Sequence, residues 1–224
     1  YKTVYKTFQA LADYNVKFSK NDLSVLVGYT WEDESQRTVG GSRLNFPSDE
    51  VPYLNAGGAD GQTNSGGGYD WAIMSVFGRL TYNYDQRYLF ETTMRYDGSS
   101  RFAKGHRWGL FPSFSAGWNI AREPFMESFA EKINMGSLKL RASWGQLGNT
   151  NTNDAWYPFY QTMPVGSNYG WLVNGERPNY ATNPGIVSSK KTWETVETWD
   201  VGLDWSFFNN RLSGSFDYFV RYTY

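Results

Sequence analysis

The segment 200–222, DVGLDWSFFNNRLSGSFDYFVRY, decides the fold class. Val201, Leu203, Trp205 and Phe207 alternate with Asp200, Gly202, Asp204 and Ser206. After Asn209-Asn210, Leu212, Phe216, Tyr218, Val220 and Tyr222 alternate with Ser213, Ser215, Asp217 and Arg221. Side chains along a strand point to opposite faces in turn, so a period of two gives each arm one apolar and one polar face. Paired asparagines tolerate the left-handed backbone of a tight turn, and the two arms read as a β-hairpin.

Working outward, the same pattern recurs. Phe8, Ala10, Ala12, Tyr14, Val16 and Phe18 share one face, and after a compact turn at Lys20-Asn21-Asp22 that face returns as Leu23, Val25, Val27, Tyr29 and Trp31. Val76, Leu80, Tyr82 and Tyr84 turn at Asp85-Gln86 into Tyr88, Phe90, Thr92, Met94 and Tyr96. Phe114, Ala116, Trp118 and Ile120 precede Leu138, Leu140, Ala142 and Trp144. Eight strands of about ten or more residues exceed the usual five or six of a soluble sheet and match the 9–11 that a tilted strand needs to cross hydrocarbon. Aromatic side chains at Tyr82, Tyr84, Trp118, Trp144 and Tyr218 are expected near strand ends, as in an interfacial girdle.

Connection lengths alternate. Short turns follow residue 19, residue 85 and residue 209, with a moderate stretch at 121–137. Long segments at 37–70 and 147–191 and an intermediate one at 98–107 separate them. Outer-membrane barrels pair short periplasmic turns with long outer loops. In the moderate stretch, Pro124 is expected to open a short amphipathic helix.

Composition fits. Aromatic residues make up 19% of the 224 residues, with 10 Trp, 17 Tyr and 15 Phe, yet mean hydropathy is −0.59. Amphipathic rings in such number suit a surface touching hydrocarbon and headgroups, or a sugar-binding β-protein. A net charge of −1 offers no field for nucleic acid. Without cysteine there is no thiol chemistry or disulfide. No apolar run reaches the roughly 18 residues of a membrane helix, so spanning falls to strands. The chain opens at Tyr1 without a leader, and the start of an exported protein is expected to lie outside it.

Several motifs invite a chemical reading. Gly57-Gly58 and Gly66-Gly67-Gly68 lack the following Lys-Ser/Thr of a phosphate cradle and read as a flexible loop. His106, the single histidine, has no ligand at metal spacing and is expected in a loop or at the rim. Glu91, Asp200, Asp204 and Asp217 fall on polar strand faces, as a water-facing lining requires. No Ser-His-Asp set surrounds His106, so no catalytic residue, metal or cofactor is expected. The long stretch after residue 147 sets Trp156, Tyr157, Tyr160, Tyr169, Trp171 and Tyr180 among Asn, Gly and Pro. Flat rings with amide donors suit sugars and peptides, and packing among loops would use the same residues.

The series Arg95, Tyr96, Asp97, Gly98, Ser99, Ser100, Arg101, Phe102, followed by Trp108, Gly109, Leu110, Phe111 and Pro112, is the most distinctive. Asp-Gly alone reads as a turn. The order of the whole, with Glu123-Pro124-Phe125-Met126 and residues 138–149, Trp193-Glu194 and Asn209-Asn210-Arg211-Leu212, resembles the central barrel of SusC/RagA-like TonB-dependent transporters over most of residues 76–224. The resemblance implies an all-β fold, an antiparallel transmembrane barrel of 22 strands with a plug, of which residues 1–224 would be about eight strands. Plug, N-terminal segments and last strands would lie elsewhere. It further implies the outer membrane of a Gram-negative bacterium of the Bacteroidota, with contact to membrane lipid. Its expected partners are a SusD-like lipoprotein lid and TonB acting through the plug, and its expected cargo is oligosaccharide or oligopeptide. A secreted lectin-like sheet is the alternative from a different class, and it predicts solubility without detergent.

Overall fold

The computed structural model describes all residues except 52, 152–155, 167–169 and 171. Eight strands form one antiparallel sheet: β1 (Lys2–Phe18), β2 (Asn21–Ser42), β3 (Thr63–Tyr84), β4 (Tyr88–Ser99), β5 (Trp108–Asn119), β6 (Ser137–Asn149), β9 (Glu194–Phe207) and β10 (Leu212–Thr223). Each pairs with its neighbour in chain order, so the sheet is a meander that stays open within this chain. A two-stranded ribbon, β7 (Val165–Gly166) with β8 (Tyr180–Ala181), lies in the connection from β6 to β9. The only α-helix among the described residues, α1 (Glu127–Lys132), follows a 3-10 turn at Pro124–Met126, where proline was expected to start it. No described helix is long and apolar enough to cross a membrane, which leaves strand crossing untouched.

One row of the register passes through all eight strands on the apolar face: Tyr14, Val25, Leu80, Thr92, Phe114, Trp144, Trp199 and Val220. The limits of the apolar face move steadily against this row. On β2 the face runs from Leu23 to Trp31 and ends at Asp33, which pairs with Lys6 of β1 at 3.6 Å. On β9 it runs from Phe207 to Trp199 and ends at Glu197. Each band covers about ten residues, the length that spans hydrocarbon at a tilt. From β2 to β9 the upper limit shifts by about six residues across five strand spacings, roughly 20 Å in 24 Å, which corresponds to a tilt of ~40°. Barrel strands tilt by about 35–45°. The band is openly exposed, with Phe216 at 62% and Tyr218 at 65%.

The opposite face is polar and internally paired. Arg141 meets Asp204 at 3.2 Å, Asp200 at 3.4 Å and Asp217 at 2.5 Å. Glu91 accepts from the Thr81 hydroxyl at 3.2 Å. The four carboxylates singled out in the sequence therefore line this face as expected.

Several local expectations need correction. The long loop at 37–70 shrinks to 43–62, because residues 37–42 pair with 63–68. Gly66, Gly67 and Gly68 are thus strand residues and not a flexible loop. The first turn is Ser19-Lys20, with Ser19 at φ 53°, one step before the Lys20-Asn21-Asp22 turn read from residue type. Trp144 and Tyr218 sit within their strands and not at the ends, while Tyr82, Tyr84 and Trp118 do lie near the short-turn rim.

Candidate functional site

The long-loop rim is organised by the stretch that begins at Arg95. Asp97-Gly98 does not turn. Gly98 lies in β4 without positive φ, and the turn comes later, with Gly105 at φ 95°. A Cβ on Gly98 would fall 2.7 Å from the Trp108 ring, which stacks on Tyr96 at 4.7 Å. The glycine is there for clearance under an indole.

Beyond β4 the chain folds into the best-buried part of the molecule. Phe102 is 1% exposed and Phe111 5%. Both rings pack on Trp193, at centroid distances of 5.5 and 5.3 Å. The Trp193 indole N–H donates to the Arg107 carbonyl at 2.7 Å, and the Thr192 hydroxyl to that of His106 at 2.9 Å. The Arg107 guanidinium closes the loop onto the Phe102 carbonyl at 3.0 Å. Ser99, fully buried, accepts from the Arg101 amide, and Ser100 accepts from the Ala72 amide at 2.9 Å. Arg95 bridges Asp97 at 3.2 Å and lies over Phe77. Pro112 belongs to β5, opposite Met94. These residues therefore build a scaffold that fastens the β4–β5 loop to the base of β9. Trp193, the hub, was legible only as part of the family resemblance. Gly148 and Gly109, glycines inside strands, leave the room that Phe111 fills beside it.

The aromatic residues of the long connection are placed unequally. Trp156 stacks on Tyr69 at 3.8 Å, with Arg101 4.3 Å from its ring centroid. The Tyr157 hydroxyl donates to the Asp70 carbonyl. Tyr157, Phe159 and Tyr160 touch one another, and Tyr160 is 61% exposed. Tyr180 covers Gly166, leaving no space for a side chain there. Tyr169 and Trp171 lie outside the described residues. Trp156 and Tyr157 are thus anchored on β3, Tyr160 is presented outward, and Tyr180 shapes the β7–β8 ribbon. His106 sits in the β4–β5 loop. Among the described residues, no group of three His, Cys, Asp or Glu side chains could hold a metal ion.

The short-turn rim is polar. Asp85 and Gln86, in the three-residue connection between the paired Tyr84 and Tyr88, both take positive φ, as the central residues of a type I′ turn do. Lys20 and Arg87 reach the Asp85 carboxylate at 2.9 and 2.6 Å and hold it below the usual carboxylate range, Lys20 contributing most. Buried Glu123 accepts from the Trp118 indole at 2.9 Å, from the Tyr88 hydroxyl and from Arg87 at 3.4 Å. Those donors, Trp118 first, lower its pKa. Glu123 was visible in the sequence only as part of the Glu123-Pro124-Phe125-Met126 motif, and its role was not, because its partners come from three other elements.

Comparison with known proteins completes the case. The family described as "TonB dependent receptor-like, beta-barrel" matches residues 1–224. TonB-dependent receptor P3 of Formosa agariphila is 34% identical over 208 residues, covering 92% of this chain and 20% of its own. TonB-dependent receptor SusC of Bacteroides thetaiotaomicron is 40% identical over 154 residues, covering 67% and 15%. The chain thus spans about a fifth or less of these relatives. A solved structure of the RagAB peptide importer in its "closed-closed" state superposes with a TM-score of 0.82 at 26% identity, over 99% of this chain and 24% of that one. The eight-stranded sheet, with its tilted apolar band and its scaffolded long-loop rim, belongs to the TonB-dependent receptor-like β-barrel family.

Proposed function

We propose that the protein containing this chain imports glycan or peptide oligomers across the outer membrane of a Bacteroidota cell, driven by TonB and assisted by a SusD-like surface lipoprotein. The observation that carries this reading is the apolar band. It is of membrane-crossing length on strands at both ends of the sheet, and it lies on a fold shared with the RagAB peptide importer. The chain would supply about eight strands of a larger plugged barrel, with the plug contributed by another part of the polypeptide. Its apolar face would meet lipid, and its polar face would line the lumen. Contact with cargo would fall to rings among Trp156, Tyr157, Tyr160, Tyr169, Trp171 and Tyr180, of which Tyr160 is presented outward.

No bond is made or broken in such a process. Cargo would bind in a partly desolvated space and be released when the plug moves, so that inner and outer sites are coupled through one conformational equilibrium. A secreted lectin would have to leave rings such as Phe216 and Tyr218 in water, at large hydrophobic cost. The test is deletion of the gene in its host, followed by uptake of fluorescent oligosaccharide and oligopeptide pools. Loss of one class of cargo is expected. Unchanged uptake of every pool would overturn the proposal.

A further inference from the structure

A cavity of about 260 Å³ opens below the long-loop rim, on the polar face. Its walls include Glu34 of β2, Trp71 of β3, Arg101, Thr150 and Trp156. Glu34 and Trp71 are register partners, and Tyr5 of β1 pairs with Glu34 on the other side. Tyr5, 52% exposed, meets the Trp71 ring at 6.3 Å. Two rings from neighbouring strands thus flank a carboxylate, on elements whose backbone is fixed by the ladder.

Both charged groups are already engaged by the protein. Glu34 accepts from the Tyr69 hydroxyl at 2.7 Å through Oε1. Arg101 donates from Nη1 to the Thr150 carbonyl at 3.3 Å. The Arg101 Nε is buried with no hydrogen-bond partner among the described residues. Two charges of opposite sign on one small cavity give a net charge near zero, so a ligand of either charge would be repelled by one wall. A neutral ring bearing hydroxyls can instead donate to Glu34, accept from Arg101 and lay its C–H face on an indole.

We propose that this cavity is a subsite for one residue of a neutral oligosaccharide, formed by Trp71, Glu34 and Arg101 with Tyr5 at its edge. The inference rests on the import reading above and narrows its cargo. It also moves recognition from the β6–β9 connection to the strands, whose backbone is fixed by the ladder.

The test uses the complete transporter in its host, with growth and uptake measured on neutral glucan and mannan oligosaccharides, on uronate-containing oligosaccharides and on an oligopeptide mixture. Deletion should abolish uptake of a neutral oligosaccharide. Trp71→Ala and Glu34→Gln should each reduce that uptake about tenfold at limiting concentration, with outer-membrane abundance unchanged by immunoblot. Loss of only peptide or uronate uptake on deletion would overturn the subsite while leaving import intact. Neutral-sugar uptake that survives both substitutions would overturn it too, and a deletion without effect on any pool would remove the import reading itself. If Trp71→Ala lowers abundance, Glu34→Gln, which keeps the acceptor for Tyr69, decides alone.

Discussion

At the short-turn rim, Lys20, Asp85, Arg87 and Glu123 join two hairpin turns and the α1 connection through charged hydrogen bonds, whereas at the long-loop rim Phe102, Phe111 and Trp193 join the β4–β5 loop to β9 by ring packing. The backbone follows the same division. Asp85 donates its amide to Lys20, Asn119 to Arg87, and Asn209 to Asn134, so each short turn is tied to the next. At the other rim a few rings fix segments far apart in sequence. Short turns have little surface to bury and must use polar contacts. Long loops can build a small core, and this one does.

That contrast can be broken most directly at its apolar side. Phe102→Ala removes the fully buried ring and should destabilise the long-loop rim by about 3–5 kcal/mol, read as a lower urea midpoint of the purified complete receptor in detergent. A midpoint within error of the wild type would mean that the scaffold does not hold this rim. Gly148→Ala places a Cβ about 2 Å from the Phe111 ring, where the ring has nowhere simple to go. It should cost about 1–3 kcal/mol by overpacking, and the paired change Phe111→Leu should restore part of the loss.

The polar rim responds to pH. Because the Glu123 pKa is lowered in the folded protein, its stabilising contribution is present above the ordinary value of 4.5 and is lost as pH falls through the lowered value. Thermal unfolding of the receptor between pH 7 and pH 3 should therefore show an acid limb that Glu123→Gln flattens. A variant with the same acid limb as the wild type would separate Glu123 from the stability of this rim. The smallest effect is expected at the turn itself. Gln86 sits at φ 54°, and Gln86→Gly should stabilise by about 0.5–1 kcal/mol, since glycine takes the left-handed region without strain. A loss of stability would show that the Gln86 side chain holds something the backbone geometry does not reveal.

Alternation and turn chemistry were enough, from sequence alone, to place eight strands, their apolar face and the hairpins at Asp85-Gln86 and Asn209-Asn210, because these depend on local geometry with a period of two. The same signals missed the pairing of residues 37–42 with 63–68, where glycine and polar residues mask a strand that exists only through its neighbour. The residue types of the candidate binding loop were visible, but which rings are anchored and which are presented was not. Trp156 is held by Tyr69 and Arg101, from β3 and the β4–β5 loop, and Tyr160 projects because nothing comparable among the described residues covers it. Likewise Asp97-Gly98 spelled a turn and proved to be strand, since the demand on Gly98 comes from the Trp108 ring across the register. Sequence fixes what a residue and its immediate neighbours prefer. Contacts between β2, β3, the β4–β5 loop and β9 depend on register and on the path of long connections, and only the folded sheet brings Glu34, Trp71, Arg101 and Trp156 to one cavity.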